Sequence, residues 1–147
     1  MTIEELNEAQ GDLETFFKML TKVIATYRGE RQYIRIDNAN PDQLEITAFG
    51  MRLLLEPYLL IDKEKGDIRQ AIFLKAQSGV DGDRLVRIAT LYPKEKRKLI
   101  VPAIKQSNNP ITVDMWGATF KGRWPTISGE VISAIVGLAL TKREELH

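Results

Sequence analysis

A chain of 147 residues with 44 % apolar and 28 % charged residues has the size and balance of one folded domain, not of a disordered or fibrous chain. It contains no cysteine, which excludes a disulfide framework, a thiolate zinc site and a cysteine nucleophile, and its one histidine is the final residue, His147, where ends fray and no histidine base or metal cluster can be built. The net charge of +1 gives no overall attraction to a polyanion, although residues 1–67 carry 8 Lys+Arg against 13 Asp+Glu and residues 68–147 carry 13 against 7.

The acidic start MTIEELNEAQ lacks the basic lead and apolar run of a secretory signal, so a cytoplasmic location is expected. Thr2 followed by Glu5 fits a capping box at a helix start. Leu13, Phe16, Phe17, Leu20, Val23, Ile24 and Tyr27 recur at spacings of three and four, one apolar stripe of a helix. Gly29 stands where a C-terminal cap belongs, and Gly11 with Asp12 is a point where the helix can break or restart.

From Arg31 to about Trp124 the pattern becomes extended. QYIRID alternates as a strand, and NANPDQ supplies turn residues for a loop. The long run LEITAFGMRLLLEPYLLID needs a bulge or break, with Gly50 and Pro57 as its natural positions; Met51 to Leu55 fits a strand or a short helix. KEKG (63–66) and SGVDGD (78–83) read as hairpin connections flanking DIRQAIFLKA and leading into RLVRIATLY. KEKRK then links to LIVPAIK, where Pro102 suits an edge, and a last ribbon covers 111–124.

PTISGE opens a final helix with Thr126 or Ser128 as N-cap and Glu130 in the first turn. Its run VISAIVGLAL is about half of the roughly 20 residues needed to cross a membrane, so a buried helix and no membrane contact are expected. The fold class follows: α+β, an antiparallel meander of about five to seven strands with an N-terminal and a C-terminal helix packed on it, in a single domain spanning 1–147.

WGATFKGRW (116–124) holds both tryptophans. On a simple strand, Trp116, Ala118, Phe120 and Trp124 share one face while Thr119, Lys121 and Arg123 share the other. Single-strand nucleic-acid binding needs rings and cations together, so this alternation favours rings in the core, unless Gly117 or Gly122 forms a bulge that shifts the register. The basic cluster Lys94, Lys96, Arg97 and Lys98 reads first as a solvated hairpin loop and second as a phosphate contact, joined by Lys105, Lys121 and Arg123 if their strands neighbour the loop. The carboxylates Asp81 and Asp83, and Asp62, Glu64 and Asp67, lie in turn sequences without calcium-loop spacing. Ser78, Ser128 and Ser133 lack a nucleophile-elbow context, and no P-loop or G-x-G-x-x-G run occurs.

Three readings follow. The first is a non-catalytic cytoplasmic protein-interaction module, an adaptor, inhibitor or chaperone-like protein without cofactor or metal, whose partner is another protein or itself. The final helix has more apolar circumference than one sheet face needs, which makes Ile132, Ile135, Val136 and Leu140 candidate contacts of a homodimer. The alternative is a nucleic-acid-binding module using Lys94, Lys96, Arg97, Lys98, Lys121, Arg123 and Trp124. The third is an enzyme working through carboxylates alone, which needs an Asp or Glu with a raised pKa in a cleft.

Overall fold

The computed structural model describes residues 1–27, 33–77, 84–105, 108–116 and 124–145. Helix α1 (Ile3–Ala25) begins as the sequence dictates, with the Thr2 hydroxyl accepting from the Glu5 amide at 3.1 Å. Gly11 does not interrupt it: no atom lies within 4 Å of where a Cβ would stand. The propensity lost at that glycine, about 1 kcal/mol, is small against the burial of Leu13, Phe16, Phe17, Leu20, Val23 and Ile24 along the opposite stripe. The helix ends earlier than the glycine signal suggests, at Ala25, where the Thr26 hydroxyl donates to the Val23 carbonyl at 2.8 Å; Gly29 lies outside the described residues.

Seven strands follow, β1 (Ile34–Asn40), β2 (Gln43–Ala48), β3 (Met51–Ile61), β4 (Ile68–Gln77), β5 (Leu85–Lys94), β6 (Lys98–Val101) and β7 (Ile111–Asp114). They form one sheet in the order β1-β2-β3-β4-β5-β6-β7, with every neighbouring pair antiparallel. Helix α2 (Trp124–Glu145) closes the chain. The molecule is therefore α+β, a seven-strand antiparallel meander with a helix at each end of the sequence.

Several connections are tighter than the sequence suggests. Pro41 and Asp42 alone join β1 to β2, because the Asn40 side chain accepts from the amides of Asp42 and Gln43 at 2.9 and 3.0 Å. Phe49 and Gly50, with φ of 51° and 77°, form the two-residue turn from β2 to β3. Met51 to Leu55 is strand. Pro57 does not break β3: it pairs with Ile72 of β4, and on its other side the β2 ladder already stops at the Leu44 and Leu55 pair, so the missing amide costs no ladder bond. Pro102 does terminate β6, which lies between β5 and β7 instead of at an edge.

The last ribbon departs most from expectation. Strand β7 stops at Asp114, and Trp124 already belongs to α2, so 111–124 is not one strand. Thr126 and Ser128 lie inside the helix and are not its N-cap. Residues 78–83 and 117–123, including Lys121 and Arg123, lie outside the described residues.

Both helices cover one face of the sheet. Leu44, Ile46, Leu53, Leu55, Ile72 and Leu74 point from it into a continuous core shared with α1 and α2. The buried residues of α2, from Ile127 to Ala139, take up about half of its circumference at 100° per residue, because the helix packs on α1 and near β7 and also meets Ile104, whose Cδ1 is 3.4 Å from where a Cβ on Gly137 would stand. The chain's own core thus occupies the broad apolar arc of the final helix.

Candidate interaction surface

Alternation along the strands places a second set of side chains on the face turned away from the helices. Leu54 stands opposite Lys75, Glu56 opposite Phe73, Tyr58 opposite Ala71, and Phe73 opposite Thr90. Leu54 and Ala71 are buried yet do not join the helix-side core.

Arginines laid on rings characterise this face. The Arg87 guanidinium lies 4.5 Å from the centre of the Phe73 ring, which is tilted against Tyr58 at 4.6 Å. Arg69 lies 5.0 Å from the Tyr92 ring. At the corner beyond β7, Arg97 lies 5.3 Å from the Trp116 ring, whose residue is 44 % exposed. Such pairs arise from the strand geometry: Arg87 and Phe73 are diagonal neighbours across β5 and β4, within reach of a long side chain.

Most of the cations of the face are matched by carboxylates. Lys75 Nζ lies 2.6 Å from Glu56, Arg52 3.3 Å from Glu45, Arg69 3.7 Å from Asp62 and Arg97 3.5 Å from Asp114. The hydrogen bond from Lys75 to Glu56 outweighs the cost of burial and raises the lysine above its ordinary pKa. Arg87 rests on its ring with no carboxylate within ion-pair distance among the described residues.

The basic cluster is the tight hairpin between β5 and β6. Glu95 and Lys96 occupy its turn with φ of 53° and 61°, and the Arg97 amide donates to the Lys94 carbonyl at 3.2 Å. Lys96 reaches Asp12 of α1 at 3.6 Å, and Lys98 reaches Glu95 at 3.1 Å. Lys98, first among the causes, holds the Glu95 carboxyl below its ordinary pKa. Three of the four cations, Lys96, Arg97 and Lys98, therefore have carboxylate partners. Lys105 lies beyond β6, and its carbonyl accepts from the Asn108 amide at 2.9 Å.

Between β4 and β5 the sheet splays, since β5 pairs with β4 up to Leu91 and with β6 from Tyr92 onward. The resulting cleft of about 570 Å³ is bordered by Glu5, Glu8 and Asp12 of α1 and by Arg69, Gln70 and Tyr92. Gln70 ties it to α1 by donating to the Ala9 carbonyl at 2.8 Å. Among the described residues, the carboxyls displaced from their ordinary range, Asp37 and Glu95, both move down, the direction opposite to that of a general acid. Asp62 serves its turn by accepting from the amides of Glu64 and Lys65 at 2.9 and 3.2 Å; Asp81 and Asp83 lie outside the described residues.

Of the expected dimer contacts, Ile132, Ile135 and Val136 are 2 %, 1 % and 5 % exposed, and Leu140 packs partly buried against the same core. Ile132, Ile135 and Val136 thus pack within the chain, while Leu140 keeps part of its surface. The arginine–aromatic pairs were not legible from spacing, because each joins residues distant in sequence that only the fold brings together. No family model, no curated protein and no solved structure matches this chain.

Proposed function

We propose that this protein is a non-catalytic protein-interaction module that binds its partner on the sheet face turned away from the helices. The observation that carries the reading is the row of Arg87 with Phe73 and Tyr58, and of Arg69 with Tyr92, set among ion pairs of both signs. Arginine and tyrosine are the residues enriched at the energetic centres of protein interfaces. A face whose cations are largely balanced by carboxylates suits a partner of mixed charge better than a polyphosphate. An Arg69→Glu/Arg87→Glu double variant tests it. Nuclease-treated lysate is passed over immobilised wild type and variant, and the wild type is expected to retain a protein that the variant retains roughly tenfold less. Equal retention on both overturns the reading.

A second reading, single-stranded nucleic-acid binding, is favoured by one feature: the exposed Trp116 ring beside Arg97, close in sequence to Lys94 and Lys98. It requires anisotropy of a labelled oligothymidine to rise at low salt and to collapse toward physiological salt. A flat signal at low salt removes it.

A further inference from the structure

Strand β1 begins the sheet order, so one row of its amides and carbonyls has no strand beside it among the described residues. A hollow of about 380 Å³ opens along this edge, lined by Ile24, Ala25, Tyr27, Ile34, Arg35 and Ile36. Arg35 and Asp37 flank Ile36 on the opposite face, joined at 2.5 Å. The β1–β2 register shifts between Ile36 and Asn38, a bulge at Asp37. Charge and bulge are the devices that keep foreign strands off an exposed edge.

A second copy of the same strand meets a different situation. We propose that β1 pairs antiparallel with β1 of a second copy about a two-fold axis at Ile36, making one sheet of both chains. In that register Arg35 faces Asp37 of the second copy, and Asp37 faces its Arg35. Within Ile34–Asn40, every other antiparallel register sets these charges against uncharged or like-charged positions, so the strand is self-complementary in one alignment only. The hollow beside Ile34 and Ile36 then lies against its own counterpart, and part of its apolar lining leaves water. The inference is independent of the sheet-face reading, since Arg69 and Arg87 lie three and four strands away.

Light scattering on size-exclusion fractions tests it with Arg35→Asp, Asp37→Arg and their equimolar mixture. Wild type is expected at the mass of two chains. Each single variant sets like charges opposite each other twice and is expected near the mass of one chain, its dissociation constant raised roughly tenfold or more. The mixture restores both opposite-charge pairs and is expected to return to two chains. A wild type of one-chain mass throughout the micromolar range overturns the proposal and leaves the sheet-face reading untouched. Two-chain mass in both single variants, or a mixture that stays at one chain, overturns it as well. Circular dichroism matching wild type qualifies each variant; where one fails to fold, Arg35→Glu with Asp37→Lys gives the same three readings.

Discussion

Phe49 occupies the first position of a turn in which both central residues have positive φ, 51° here and 77° at Gly50. An L-residue with a side chain costs about 1–2 kcal/mol in that conformation, and asparagine is the residue that tolerates it before glycine. The ring is nearly half exposed and stacks on Tyr33 at 5.5 Å, a contact worth about 0.5–1.5 kcal/mol beyond area burial. Phe49→Asn exchanges the second quantity for the first and is expected to stabilise the fold by up to about 1 kcal/mol, read as a raised thermal midpoint. A lowered midpoint means that the stack outweighs the turn. Ser128 poses the inverse case, a hydroxyl fully buried in α2 without a hydrogen-bond partner among the described residues. Ser128→Ala removes an unsatisfied group and adds helix propensity, so chemical denaturation is expected to show equal or greater stability, by up to about 1 kcal/mol. A loss above that size assigns the hydroxyl a partner.

At the scale of elements, the β1–β2 hairpin is fastened by Asp37, which accepts from both Arg35 and the Thr47 hydroxyl. Burial alone raises the Asp37 pKa, but the bonds from Thr47 and Arg35 and the charges of Arg35 and Arg52 together bring it below the ordinary value. A carboxyl lowered in the folded state contributes stability above its unfolded pKa and loses it as pH falls through its folded pKa. Asp37→Asn is therefore expected to be less stable than wild type at neutral pH, by less than about 1 kcal/mol for so exposed a pair. The difference in thermal midpoint narrows on acidification below the carboxylate range, at equal protein concentration. A constant difference at all pH values assigns the effect to shape instead. The same hairpins explain what was legible in the sequence. The cap at Thr2, the apolar stripe of α1 and the turn residues at 40–43 act locally, and each forms where the residues demand it, whereas Gly50, expected as a bulge or break, sits in the two-residue turn from β2 to β3. The uninterrupted passage of β3 through Pro57 was not legible, because it depends on where β2 ends beside it. Nor was the site: Arg87 meets Phe73 only after a bulge shifts the β4–β5 register between Leu74 and Lys75.

For the whole molecule, part of the uneven charge of the two halves is paired between them. Asp12, Glu56 and Asp62 from the acidic half meet Lys96, Lys75 and Arg69 from the basic half. The apolar side follows the same logic, since α1, α2 and the sheet contribute to one core in which no element buries its stripe alone. Ile135, 1 % exposed at the middle of α2, reports on that sharing. Truncation to alanine removes buried methyl groups and leaves a cavity that a helix held between α1 and the sheet cannot collapse, at a cost of about 2–5 kcal/mol. Urea unfolding of Ile135→Ala followed by far-ultraviolet dichroism and by tryptophan emission is expected to give one transition with both midpoints lowered together. Midpoints that separate would show α2 leaving the sheet before it unfolds. A cost below about 1 kcal/mol would mean that the helix can move inward to fill the space.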